Sequence, residues 1–124
     1  MKYLAFKDVK SLLNSPKKIV IIPHYNPDGD AIGSALGLYH YFIQKKHKTS
    51  IIVPNDYPKF LKWLTGTSVI INFESDVEKA KQILFSADLI FTVDFNALHR
   101  IGDMKSILES NTSQKIMIDH HKLP

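Results

Sequence analysis

Acidic and imidazole side chains of this sequence gather in three short stretches, each directly after an apolar run. Pro23-His24-Tyr25-Asn26-Pro27-Asp28-Gly29-Asp30 follows Ile19 to Ile22, Asp94-Phe95-Asn96 follows Leu89 to Val93, and Asp119-His120-His121 follows Ile116 to Ile118. If the three converge, the carboxylates of Asp28, Asp30, Asp94 and Asp119 share a small volume with His24, His120 and His121. Carboxylates at that density cannot all stay ionised without a positive partner. Imidazoles among them point to a divalent metal. Oxygen-rich ligands with one or two His and no sulfur suit Mn²⁺ best, with Mg²⁺, Co²⁺ or Fe²⁺ as other fits. So many ligands exceed the needs of one ion and suggest two. Two metals about 3.5–4 Å apart are the usual apparatus for in-line attack on phosphorus, with water held between them as the nucleophile.

Each residue also has a plainer reading. Asp28-Gly29-Asp30 after a proline fits a turn and a helix N-cap. Asp94 fits a cap as well, and His120 a hydrogen-bonded core histidine. Taken singly, the plain readings carry more weight; taken together, at three strand ends of one sheet, the metal centre is the better account. Gly29, Gly33 and Gly37 recur at every fourth position and match neither a dinucleotide-binding nor a P-loop motif. Gly33 and Gly37 are expected to let a helix pack closely on the sheet. Gly29 is expected to allow the tight turn between Asp28 and Asp30, and amides at the start of that helix can hold a phosphate oxygen. His40 and His47 read as structural or solvated, and Tyr57 and Trp63 as packing. Arg100, the only arginine, follows Asp94 by six residues; binding phosphate and pairing with an acidic neighbour both suit it.

The elements that must position these residues alternate in type. Ile19 to Ile22, Ile51 to Val53, Val69 to Ile71, Leu89 to Val93 and Ile116 to Ile118 read as strands, too continuously apolar to have one wet face. Between them lie five helix candidates. The first carries Phe6, Val9, Leu12 and Leu13 and stops at Asn14-Ser15-Pro16. The second runs from Ala31 to about Lys46 with Ile32, Ala35, Leu36, Tyr39, Phe42 and Ile43 inward. The third follows Asp56 and Pro58 with Phe60, Leu61 and Leu64. The fourth opens on a Ser75-x-x-Glu78 capping box and buries Val77, Ala80 and Leu84. The fifth spans Leu98 to Glu109, interrupted by Gly102. Alternating strand and helix predicts an α/β fold: an open, mainly parallel five-stranded sheet with helices on both faces. In such sheets ligands bind beyond the carboxyl ends of the strands, where the three polar stretches fall.

The remaining composition narrows the classes. The chain has 124 residues, 44% of them hydrophobic and 23% charged, which suits one globular domain. It has no cysteine, which excludes a disulfide scaffold and thiolate metal sites and fits a reducing cytoplasm. No apolar run approaches a membrane span, and the amphipathic N-terminus does not read as a signal peptide. The formal charge is +4, clustered only at Lys17-Lys18 and at Lys45-Lys46-His47-Lys48. That charge reads as solubility first and anion attraction second, the second cluster closing a helix.

His24-Tyr25-Asn26-Pro27-Asp28-Gly29-Asp30-Ala31-Ile32-Gly33-Ser34, Val93-Asp94-Phe95-Asn96 and Ile118-Asp119-His120-His121, in this order, resemble the DHH phosphoesterase family. The likeness covers nearly the whole chain and is strongest to the nanoRNase-like branch, which resembles a bifunctional oligoribonuclease and 3′-phosphoadenosine 5′-phosphate phosphatase. Type II inorganic pyrophosphatases typically place Thr where this chain has Gly29. The resemblance implies that His24 and Asp28 hold one metal, Asp30 and His120 the other, and that Asp94 bridges them. It implies that Asp119 orients neighbouring groups and that His121 contacts the scissile phosphate or protonates the leaving oxygen. Arg100 matches an arginine often found after the second motif. Family members continue with a further metal-binding Asp, a linker and a second, substrate-gripping domain. On that likeness the chain is the N-terminal portion of a DHH phosphoesterase, weakly active or inactive alone, whose uncovered surface would permit a homodimer.

The expected function is metal-dependent hydrolysis, with two Mn²⁺, of short oligonucleotides or nucleoside 3′,5′-bisphosphates, without a membrane partner. The alternatives are an inorganic pyrophosphatase or exopolyphosphatase, and a non-catalytic nucleotide-binding domain.

Overall fold

Along the three central strands of the computed structural model, apolar side chains alternate between two buried faces. The structure describes residues 11–23, 29–53, 70–93, 107 and 114–118. Five strands, β1 (Lys18–Pro23), β2 (Lys48–Val53), β3 (Ile70–Asn72), β4 (Leu89–Val93) and β5 (Gln114–Ile118), form one sheet in the order β3-β2-β1-β4-β5. Every pairing is parallel. Two helices are described in full, α1 (Gly29–Gln44) and α2 (Val77–Ser86).

The two faces have separate cores. Ile19, Ile21, Ile51, Val53, Leu89, Phe91 and Ile116 meet Ile32, Ala35, Leu36 and Phe42 of α1. Val20, Ile22, Ile52 and Ile90 meet Phe73 and the Ala80 and Leu84 side chains of α2, with helical Ile107 packed against them. Consecutive strand residues point to opposite faces, so a strand buried on both sides is apolar at every buried position, as β1 is from Ile19 to Ile22. Helices therefore cover both faces, as the pattern predicts. Lys115, the exception in β5, is buried, and desolvation pulls its ammonium below the ordinary lysine range.

Boundaries and some inward faces differ from the sequence-based expectation. α1 begins at Gly29 rather than near Ala31, so Gly29 and Asp30 belong to its first turn. Ile43, expected inward, is 44% exposed: one residue past buried Phe42 turns the side chain about 100° around the axis and off the sheet. Tyr39 packs partly against the core as expected, and Leu38 does so in addition. Gly33 and Gly37 do not seat α1 on the sheet. Both are exposed, and among the described residues a Cβ at either would meet nothing within 4 Å. The Ser75 capping box does not form either. Asp76 is the N-cap of α2, without a side-chain cap, while Ser75 Oγ donates to the Asn72 carbonyl and Asn72 Oδ1 accepts from the Glu74 N–H at 2.9 Å. That turn satisfies the local backbone one residue too early for the box.

α1 ends before the lysine cluster, at a Schellman motif. Lys46 adopts φ 70°, its N–H donates to the Ile43 carbonyl at 3.0 Å, and the His47 N–H donates to the Phe42 carbonyl at 3.0 Å. The edge-on His47 and Phe42 rings, 5.9 Å apart, supply the apolar contact that accompanies this cap. The first helix candidate is helical at residues 11–12 and turns at 13–14, where its stop was expected. The third candidate and most of the fifth lie outside the described residues.

Candidate active site

The sheet changes direction between β1 and β4. The chain runs outward from β1 to β2 and β3, then crosses back through α2 to β4 and β5. Strand order reverses there, and the crevice beyond the carboxyl ends of those two strands is where open α/β sheets bind ligands. β1 is followed in sequence by the stretch from His24 to Asp30, and β4 by Asp94.

The ends of these strands are level. Pro23 pairs with Val93, and Val93 pairs with Ile118, so β1, β4 and β5 finish in one row. Neighbouring strands lie about 4.8 Å apart, which puts all three ends within about 10 Å. A two-metal centre with ions about 3.5–4 Å apart has that scale. Thr92, fully buried one residue before the end of β4, donates its hydroxyl to the Ile116 carbonyl at 3.4 Å. This contact adds a side-chain tie between β4 and β5 just below the row.

Asp30 is the candidate ligand whose backbone is described: it lies in the first turn of α1, where the helix dipole favours negative charge. His24, Asp28, Asp94, Arg100, Asp119, His120 and His121 lie outside the described residues. Among the described residues no group of three or more His, Asp or Glu could hold a metal ion.

The histidines set aside on sequence do lie apart from this edge. His47 precedes β2 at the opposite, amino edge. It is buried, and its Nδ1 accepts the Lys17 N–H at 3.1 Å. Desolvation, then the Lys17 ammonium, pull its pKa below the ordinary histidine value. His40 is exposed on α1 beside Tyr39. Neither residue is placed to join a strand-end ligand set.

Fold and strand order together define an open α/β domain with its topological switch point between β1 and β4. The match to the N-terminal domain of the DHH family extends over residues 18–124, and the chain belongs to that family, a group of generally metal-dependent phosphoesterases. It is similar to the bifunctional oligoribonuclease and PAP phosphatase NrnA of Mycoplasma genitalium, at 29% identity over 106 residues. Those residues are 84% of this chain and 30% of that protein. It is also similar to the crystal structure of an exopolyphosphatase-related protein from Bacteroides fragilis, with a TM-score of 0.89 and 43% identity. That match covers 95% of this chain and 35% of the other. The chain thus spans about a third of the length of these relatives. Among the described residues no helix is long and apolar enough to cross a membrane.

Proposed function

We propose that the carboxyl edge of this sheet is the phosphoesterase centre of a DHH enzyme that hydrolyses short oligonucleotides or nucleoside 3′,5′-bisphosphates. The observation that carries this reading is the level row of Pro23, Val93 and Ile118 at the switch point, each followed at once by one of the three polar stretches. The similarity to an oligoribonuclease and PAP phosphatase supports the substrate class.

In this reading His24 and Asp28 would hold one metal ion and Asp30 and His120 a second, with Asp94 a further ligand of the same centre. The donor set fits: oxygen and imidazole ligands without sulfur suit Mn²⁺. Bound metal would lower the pKa of water and neutralise charge on the phosphoryl oxygens. The protein's own groups do the rest. Asp119 orients the neighbouring ligands, His121 contacts the scissile phosphate or delivers a proton to the leaving oxygen, and Arg100 offers a guanidinium to a phosphate. The backbone N–H groups opening α1 add donors for an anionic oxygen. Residues 1–124 act as the N-terminal part of a DHH phosphoesterase domain completed by further chain, in a cytoplasmic enzyme.

A calorimetric titration of the 124-residue chain with Mn²⁺ tests the centre. Saturable binding that Asp28→Ala and Asp94→Ala each weaken at least tenfold, with unchanged circular dichroism, is the expected result; binding indifferent to both variants refutes the ligand assignment. A second reading, exopolyphosphate or pyrophosphate hydrolysis, is favoured by the exopolyphosphatase-related neighbour. Parallel assays of the complete enzyme on a dinucleotide, a nucleoside bisphosphate, pyrophosphate and polyphosphate separate the two, with turnover of the first pair expected to dominate.

A further inference from the structure

The two lysine clusters of the sequence meet at the amino edge of the sheet, opposite the proposed centre. Lys18 and Lys48 are partners in the β1–β2 register. The Lys48 N–H donates to the Lys17 carbonyl at 3.0 Å, and the Lys17 N–H donates to His47. Parallel pairing of β1 with β2 thereby gathers Lys17, Lys18, Lys45, Lys46 and Lys48 on one edge. Four of these are exposed, and Lys17 is half-buried.

Most of the described acidic residues lie away from this edge. Glu74, Asp76 and Glu78 lie at the carboxyl edge, where β3 ends and α2 begins. Among the described residues, Asp88 is the acid at the amino edge, and its carboxylate already accepts the Lys18 N–H at 2.8 Å.

Two clefts flank the lysines. On the α2 side, Lys18 and Lys48 line a cavity of about 80 Å³ with Ser50 and Ser86. On the α1 side, Leu13, Asn14, Tyr41, Lys45 and His47 line a cleft of about 450 Å³. Tyr41 is 52% exposed, and the Lys45 Nζ stands 5.7 Å from its ring centroid.

We propose that this edge is a second, non-catalytic docking surface for single-stranded nucleic acid. The lysines neutralise backbone phosphates, and Tyr41 offers its ring to an unpaired base. A basic track beside an open aromatic ring is the composition that binds single strands without reading sequence, and lysines meet phosphates as point charges. Among the described residues, the exposed large apolar side chains, Tyr41, Ile43 and Phe85, are divided between the two helical layers. They do not form the one apolar face that insertion into a lipid surface requires. β1 alone separates this edge from the proposed centre by about 17–20 Å, so the surface can act whether or not that centre is loaded.

The test is fluorescence anisotropy of the 124-residue chain with a labelled RNA strand of about 12 nucleotides, within the 4–16-nucleotide footprints of single-strand-binding folds. EDTA in the buffer keeps metal-dependent binding at the carboxyl edge out of the reading. Affinity should fall with salt, and Lys45→Gln/Lys48→Gln should flatten the log–log slope by about 1.4, at about 0.7 per phosphate contact. Tyr41→Ala should weaken binding about 5- to 150-fold at fixed salt without changing the slope. RNA binding that survives both variants overturns the proposal. So does tighter binding to phosphatidylserine vesicles than to RNA, which would make the edge a lipid surface. Because the Mn²⁺ titration reads the other edge, failure of one proposal leaves the other standing.

Discussion

Acidification from about pH 7.5 to about pH 5.5, the range in which histidine titrates, should destabilise this protein through His47. The imidazole is 4% exposed, and its Nδ1 accepts the Lys17 N–H at 3.1 Å. A protonated imidazole has hydrogen on both nitrogens, so charging it sets a second donor against the Lys17 N–H. Burial, and after it the Lys17 ammonium, hold the His47 pKa below 6.5. The unfolded chain therefore takes up a proton below about pH 6.5 that the folded protein refuses, and stability falls as pH falls. The contribution is fully present above that value and is lost as pH drops through the folded-state pKa. One proton sets the ceiling: about 1.4 kcal/mol per pH unit below the unfolded-state value of about 6.5, and hence about 1.4 kcal/mol over the one unit from there to about pH 5.5. For a domain of this size that is a Tm decrease of up to about 4–8 °C. Other groups titrate too, so the informative quantity is a double difference. His47→Asn keeps an acceptor near the Nδ1 position and cannot titrate. Calorimetric scans of both proteins at both pH values should show the wild type losing more. Equal losses, or a larger loss in the variant, would refute the argument.

Lys46→Gly should stabilise the fold by about 0.5–1 kcal/mol, because it relieves a left-handed residue at a cost of about 1–2 kcal/mol against about 0.4–1 kcal/mol of added chain entropy; urea unfolding checks this. Gly37→Ala should raise stability by about 0.5–1 kcal/mol, since the helix gains propensity and the added methyl meets no described atom. A decrease would show that α1 does pack through its glycines. Phe42 is 2% exposed and lies 4.9 Å from the Phe91 ring; Phe42→Ala should cost about 3–5 kcal/mol in the same assay.

Much of the fold was legible because its signals are local. Ile19 to Ile22 is apolar at every position, which marks a strand covered on both faces, and α1 announces itself through Ile32, Ala35, Leu36 and Phe42. Errors arose where two local solutions competed. Ser75 met a capping pattern but bonds to Asn72 instead. Ile43 is as apolar as Phe42 but falls one helical step past the buried stripe. The glycines of α1 permit close packing, yet composition cannot say which face they occupy.

Sequence by itself determined the α/β class, the two-faced burial of the strands and the position of each polar stretch directly after a strand. These follow from the chain's own periodicity, which needs no knowledge of distant partners. Only the tertiary structure decided that β1 lies between β2 and β4, that Pro23, Val93 and Ile118 end in one row, and that Lys18 stands beside Lys48. Those facts depend on which strands pair and in what register. That choice is made by packing energies between segments far apart in the chain, and no window of local sequence contains it.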